Sequence, residues 1–191
     1  MEIKNIILDV GGVLFDDSKR NIEHVLNKNC DLIYKTAYGS TFRDCLLGYK
    51  TVQEHVDNLL NSPHFSDISY ILNNNNLSIT FPLMEKNLSY IKDLKKDGYK
   101  IYLLTNITKD GYDYIDSMVN IDNTFDGGIY SYKEHFIKPD INIYKLLIDR
   151  FKLNKDECVF FDDKERNVLA ARNLGIKSFV FRSISDIVDN I

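Results

Sequence analysis

From residue 84 onward the chain alternates between two kinds of segment. Short apolar runs (Tyr99–Thr105, Phe125–Tyr130, Cys158–Phe161 and Ile176–Phe181) are separated by stretches with helical spacing. Continuous apolar runs this short suit strands buried on both faces, as in a parallel sheet. The intervening segments Met84–Asp97, Asp110–Val119, Pro139–Phe151 and Lys164–Leu174 read as covering helices, with Leu88, Ile91 and Leu94 marking the inner face of the first. Gly98 and Gly175 stop two of them, and Pro139 opens another. An earlier run, Ile3–Asp9, supplies a fifth strand. The alternation predicts an α/β fold, a doubly wound Rossmann-like parallel sheet, in which ligands bind at the carboxyl ends of the strands.

The gap between the first two strands carries the next expectation. Asp9 and Thr105 lie 96 residues apart, whereas a strand–helix–strand crossover needs only about 30. Most of the surplus reads as helical. Thr51-Val-Gln-Glu54 has the capping-box pattern and opens a helix over Val52–Leu60, while Asn73–Asn76 reads as a polar loop. The expected organisation is a core of residues 1–15 and 84–191 interrupted by a helical cap, residues 16–83.

Composition narrows the class of partner. The 191 residues are 44% hydrophobic and 27% charged, with a formal net charge of −4. Such a balance belongs to an ordinary globular chain and argues against nucleic acid or an anionic membrane as the main partner. Cys30, Cys45 and Cys158 are too few and too scattered for a disulfide framework or a zinc site. The amino-terminal segment lacks the basic leader and long apolar run of a signal peptide. No stretch approaches the ~20 apolar residues that cross a bilayer. The expectation is a cytoplasmic monomer or homodimer.

Four polar clusters follow the strand candidates: Asp9, Thr105-Asn106, Lys138-Pro139 and Asp162-Asp163. Taken singly, most have ordinary readings. An acid after a strand serves as a helix cap or surface carboxylate, Thr105 and Asn106 suit a cap on the next helix, and a lysine before a proline is usually solvated. The adjacent pair Asp162-Asp163 is harder to dismiss, because two acids repel each other unless a cation is shared. Together the four clusters make a phosphoryl-transfer site. Asp9 is a carboxylate nucleophile, a magnesium ion held by acids neutralises phosphate oxygens, Thr105 and a helix amino terminus bind those oxygens, and Lys138 balances the remaining charge.

In the order LDVGGVLFDD, IYLLTN, KPD and FFDDKERNVLAA, these segments resemble the four signature motifs of haloacid dehalogenase superfamily hydrolases. The resemblance covers essentially the whole chain. It is nearest to the subgroup with a small helical cap after the first motif, which includes glucose-1-phosphate phosphatases and the amino-terminal domains of soluble epoxide hydrolases. It implies that Asp9 is nucleophile and magnesium ligand, that the Gly11 carbonyl is a further ligand, and that Asp163 binds the metal directly. Asp162 then acts through water or orients its partner, Asn167 supports the site, and Asp16 is the hinge acid at the start of the cap. Arg43, Tyr49 and Lys50 are the candidate cap contacts for specificity. His24, His55, His64 and His135 show no pairing with each other or with a cysteine and read as ordinary surface or core histidines.

One position departs from the pattern. Superfamily phosphatases usually carry a general acid two residues after the nucleophile, and here that residue is Gly11. Losing a general acid costs about 10²- to 10⁴-fold in rate. The loss is tolerable if another group or a water gives the proton, or if the leaving group is acidic, which favours sugar-1-phosphates and acyl phosphates. A phosphomutase and a dehalogenase are disfavoured. The expected function is therefore a magnesium-dependent phosphatase of a small phosphorylated metabolite, with sugar phosphates favoured. The alternative is a non-catalytic phosphate- or protein-binding module, supported only by Gly11. A phosphoacceptor receiver domain would place the acid pair first in the chain and would carry no such insertion.

Overall fold

A computed structural model describes residues 2–191. Its centre is a five-stranded, wholly parallel sheet: β1 Asn5–Leu8, β2 Lys100–Thr105, β3 Gly127–Tyr130, β4 Cys158–Asp162 and β5 Lys177–Val180, in the spatial order β3-β2-β1-β4-β5. Side chains alternate across a strand, so neighbouring residues feed opposite faces. Ile6 and Leu8 pack with Ile101, Leu103, Val159 and Phe161 on one face, whereas Ile7 joins Tyr102, Leu104 and Phe160 on the other. All four residues of β1 are buried. A strand buried on both faces explains why its sequence is a continuous apolar run.

The strands are shorter than their apolar runs, because the flanking residues pack without extending the ladder. Phe125 sits in the core ahead of β3, and Ile176 does the same ahead of β5. Helices α7 (Glu85–Lys96) and α8 (Lys109–Val119) cover the first face with the terminal helix α13 (Ile184–Val188), the short helices α9 (Ile121–Thr124) and α10 (Ser131–Glu134) flank β3 in the chain, and α11 (Ile141–Phe151) and α12 (Glu165–Asn173) cover the second face. Gly98 at φ +100° and Gly175 at φ +87° occupy the left-handed conformation that ends α7 and α12. The cap of α8 is Thr108, whose hydroxyl accepts from Gly111 N at 3.1 Å. Thr105 and Asn106 therefore do not cap it.

Between β1 and α7 the chain forms α1 (Lys19–Leu26), α2 (Asp31–Ala37), α3 (Arg43–Leu46), α4 (Val52–Asp57), α5 (Phe65–Ile71) and α6 (Leu77–Thr80). The capping box of Thr51 and Glu54 is formed, though its helix stops at Asp57 rather than Leu60. The Asn73–Asn76 stretch is a 3₁₀ turn over Asn74–Asn76 instead of an irregular loop. These short helices share an apolar cluster of their own, including Ile22, Ile33, Cys45, Val56, Ile68 and Ile71. His55 belongs to it, buried with Nε2 2.8 Å from Ala37 O.

The outgoing and returning chains meet side by side. Asp16 N donates to Pro82 O at 2.9 Å, Met84 N donates to Leu14 O at 2.8 Å, and Phe15 bridges Leu83 in antiparallel fashion. Asp16 also steadies the start of α1, its Oδ1 accepting from Ser18 N at 2.9 Å. Among the described residues no helix is long and apolar enough to cross a membrane. All three cysteines are free and buried.

Candidate active site

The sheet register brings the polar clusters to one level. Leu8 pairs with Leu103 on one side and Phe161 on the other, so Asp9 and Asp162 emerge together at the carboxyl ends of adjacent strands. From β1 the chain builds outward through β2 and β3 on one side, then crosses from β3 back to β4 and on to β5 on the other, so the strand order reverses between β1 and β4, the switch point where open α/β sheets bind ligands.

Lys138 lies between the two acids. Its Nζ is 2.8 Å from Asp9 Oδ1 and donates to Asp162 Oδ2 at 2.6 Å, with all three side chains at most 6% exposed. It is a buried counter-ion rather than the solvated lysine that a residue before proline usually is. Asn106 holds the lysine in place from β2's end: its Oδ1 accepts from Lys138 N at 2.7 Å, and its Nδ2 donates to Lys138 O at 3.0 Å.

Asp162 and Asp163 have separate environments. Asp162 is fully engaged, accepting from Lys164 N at 2.8 Å and from Asn167 Nδ2 at 2.9 and 3.0 Å besides Lys138. Burial would raise its pKa, but Lys138 and these donors hold the carboxyl below the usual carboxylate range. Asp163 has the opposite balance. Burial raises it, Lys164 Nζ stands 3.6 Å from Oδ1, and that oxygen has no hydrogen-bond partner among the described residues. Asp9 is pushed up to about 7, first by burial and then by the charge of Asp162, with Lys138 pulling the other way.

Asp9, Asp162 and Asp163 each offer a carboxylate oxygen within 4.8 Å of one another. An all-oxygen set with an orphaned buried acceptor, and a nucleophilic candidate short of positive charge, fits a hard divalent cation such as Mg²⁺. Close backbone approach supports the arrangement. Gly12 has φ +71°, and a Cβ there would stand 2.8 Å from Asp163 Cγ. Gly12→Ala is expected to lose about 1–2 kcal/mol of stability from the left-handed conformation alone and to displace Asp163. Thermal melting with and without Mg²⁺ checks both effects: the metal-induced rise in Tm should shrink.

Above these groups opens a cavity of about 370 Å³ whose floor includes Asp9, Gly11, Asp17, Asn106, Lys138 and Lys164. Its roof, supplied by the helical layer, is mostly apolar and aromatic, with Tyr34, Tyr38, Phe42, Leu46, Ile71 and Leu72 beside the polar Asn74 and Thr80. The rings of Tyr34 and Tyr38 lie 4.7 Å apart, and those of Tyr38 and Phe42 5.3 Å. Not every candidate from the sequence lines this cavity. Thr105 is the buried last residue of β2 and does not line the cavity, whose wall on that side begins at Asn106. Arg43, Tyr49 and Lys50 do not line it either; Tyr49 stacks on His135 and Lys50 pairs with Asp44 at 3.0 Å. Polar side chains on short helices turned to solvent, and the apolar ones beside them turned inward. Asp17 and Lys164 were not singled out from sequence, although each directly follows a residue that was.

The family profile described as "Hydrolase: haloacid dehalogenase-like hydrolase" matches residues 3–175, nearly the whole chain. The chain belongs to that family. As a haloacid dehalogenase-like hydrolase it is 32% identical over 88 residues to the sesquiterpene phosphatase astK of Aspergillus oryzae, covering 46% of this chain and 45% of the relative. It is 34% identical over 103 residues to bifunctional epoxide hydrolase 2 of Mus musculus, covering 52% and 18% respectively. These matches span less than half the length of either relative.

Among solved structures, a haloacid dehalogenase family enzyme from Bacteroides thetaiotaomicron in complex with magnesium superposes with a TM-score of 0.76 at 20% identity, covering 95% of this chain and 94% of the other. A mutant of that enzyme with magnesium and inorganic phosphate gives 0.72 at 20% identity, covering 94% of both chains. At these identities the likeness is one of fold. It places the five-stranded sheet and its helical insertion within the architecture of the hydrolase family.

Proposed function

We propose that this hydrolase is a Mg²⁺-dependent phosphatase of small phosphorylated metabolites, working through an aspartyl-phosphate on Asp9. The observation that carries the reading is the convergence of Asp9, Asp162 and Asp163 around Lys138, with Asp9 and Lys138 opening onto one cavity and the other two acids directly behind them. Asp9 and Asp163, with the Gly11 carbonyl, would hold the cation, and Asp162, saturated by Lys138, Lys164 N and Asn167, would orient them. When bound, the cation neutralises phosphate oxygens and draws electron density from phosphorus. Lys138 keeps Asp9 aimed and supplies positive charge where the transferring phosphoryl group gains negative charge. With Thr105 off the cavity wall, Asn106 and the amino terminus of α8 take over the phosphate-oxygen contacts.

Residues 16–83 act in this proposal as a cap that excludes water and selects the alcohol part of the substrate. Gly11 alone favours an acidic leaving group such as that of a sugar-1-phosphate. The roof favours a different moiety, because Tyr34, Tyr38, Phe42, Leu46, Ile71 and Leu72 offer a largely apolar surface, and the hydroxyls of Tyr34 and Thr80 are already bonded to Asp17 O and Asn76 O. An alcohol with an aliphatic or aromatic body fits better, and the relative named as a sesquiterpene phosphatase agrees. Each methylene buried there contributes about 0.8 kcal/mol, so a chain of several gains one to two orders of magnitude in kcat/KM.

Phosphate release measured across isoprenyl, aryl, sugar, nucleotide and acyl phosphates, with Mg²⁺ or with EDTA, tests the proposal. The expected result is turnover that EDTA abolishes and that rises with the apolar size of the alcohol. Release that prefers sugars would reject the roof argument. No release from any substrate, with Asp9→Asn indistinguishable from wild type, would favour the binding-module reading that Gly11 leaves open.

A further inference from the structure

We propose that Asp17 supplies the general acid and base whose usual position is vacated by Gly11; the assignment rests on the phosphatase reading above. A Cβ built on Gly11 would stand 2.5 Å from Asp17 Oδ2 and 2.9 Å from its Cγ. The carboxyl of Asp17 therefore fills the space that a side chain at position 11 would enter. Residue 11 could not carry an aspartate of its own unless Asp17 withdrew. Gly11 is thus the condition for the arrangement, and the missing acid is a relocated one.

The position suits the task. Asp17 lines the same cavity as Asp9 and Gly11, and its side chain is 37% exposed, so it is open to substrate and water. It stands where the chain leaves the sheet for the helical layer. There the Tyr34 hydroxyl donates to its backbone carbonyl at 3.1 Å, and Asp16 N donates to Pro82 O at 2.9 Å. Both contacts hold the backbone and leave the carboxyl unengaged by hydrogen bonds among the described residues. Lys164 Nζ, 3.7 Å from Oδ2, is its charged neighbour.

In the first half-reaction a carboxylate oxygen of Asp9 bonds to phosphorus, and the bond from phosphorus to the alcohol oxygen breaks with its electron pair going to that oxygen. The carboxylic acid of Asp17 gives its proton to the same oxygen, releasing the neutral alcohol. In the second half-reaction the Asp17 carboxylate takes a proton from water as the water oxygen bonds to phosphorus. The bond from phosphorus to Asp9 breaks, its electron pair returning to the Asp9 carboxylate. Inorganic phosphate leaves, and Asp17 is protonated again.

The test compares wild type, Asp17→Asn, Asp17→Ser and the double variant Gly11→Asp/Asp17→Gly, all with Mg²⁺. Substrates are p-nitrophenyl phosphate, whose leaving group needs little protonation, and the phosphate of a simple primary alcohol. Alcohol release, phosphate release and acid-trapped phosphoenzyme are measured. Either single variant should slow the alkyl phosphate about 10²- to 10⁴-fold. With the nitrophenyl ester both should still phosphorylate Asp9, giving a burst of one nitrophenolate per site before stalling as the phosphoenzyme.

The double variant should recover turnover of the alkyl phosphate at least tenfold over the single variants, which a structural role for Asp17 would not produce. Two results overturn the assignment: single variants that keep the wild-type ratio between the substrates, or a double variant without recovery. A wild type that traps no phosphoenzyme and releases no phosphate overturns the phosphatase reading, and this inference with it.

Discussion

Asp9→Asn is expected to lower phosphate release by at least about 10⁴-fold, the order of loss seen when a covalent nucleophile is removed, while the fold persists. Asparagine matches the size of aspartate, and its amide oxygen can still accept from Val10 N, as Asp9 Oδ1 does at 2.7 Å. What disappears is the carboxylate proposed to attack phosphorus. Removing it also relieves the repulsion that, with burial, raises Asp9 to about 7. The variant should therefore melt no lower than wild type. Turnover within tenfold of wild type would remove Asp9 from the chemistry, and a collapsed melting transition would give it a structural role instead.

Lys138→Met should damage both stability and catalysis. The ammonium is 1% exposed and lies between two carboxylates that are 6% and 0% exposed. Breaking a buried ion pair from one side costs about 3–5 kcal/mol, because the remaining charge is left uncompensated. Here two acids lose the same partner, so one of them must take up a proton or water must enter. Chemical denaturation without metal should show a stability loss of that order. Saturating Mg²⁺ should restore part of it, since a cation held by Asp9 and Asp163 compensates the same negative charge. Catalysis should fall by about 10²- to 10³-fold even with metal, as for other preorganised charge-stabilising groups. A loss below 1 kcal/mol, or a loss that Mg²⁺ leaves untouched, would mean that Lys138 is not the counter-ion of the pair.

The legible part of the site is the part that follows strands. Asp9 and Asp162 could be read from sequence because the sheet is buried on both faces, which makes its strands short apolar runs with abrupt polar ends, whereas Lys138 lies beyond the short helix Ser131–Glu134 that follows β3 and was legible from the KPD segment. Asn167 was legible as the residue on the helix after the acid pair, and it binds both oxygens of Asp162. Thr105 ends β2 in the buried layer. The residue that turns out of the sheet there is Asn106, which ties to Lys138 across 32 positions of sequence.

The roof was not legible, and the reason is geometric. Helices α2 and α3, of seven and four residues, have too few turns for a periodic apolar face to declare which side is inward. Chemistry therefore suggested Arg43, Tyr49 and Lys50, whereas packing turned Phe42 and Leu46 to the cavity. Asp17 was passed over for Asp16 because adjacent acids look alike in sequence. The structure separates them: Asp16 holds the start of α1, and Asp17 faces the gap beside Gly11.

By itself the sequence determined the parallel α/β sheet and the insertion of helices after β1, which follow from the periodicity and order of segments along the chain, and the family, through the resemblance of its four motifs. Only the tertiary structure decided which acids are paired, what covers the site and what stands beside Gly11. Pairing and cover are contacts between residues far apart in the chain. They depend on strand register and on the angle at which short helices return to the sheet, and neither quantity is encoded in any single stretch of residues.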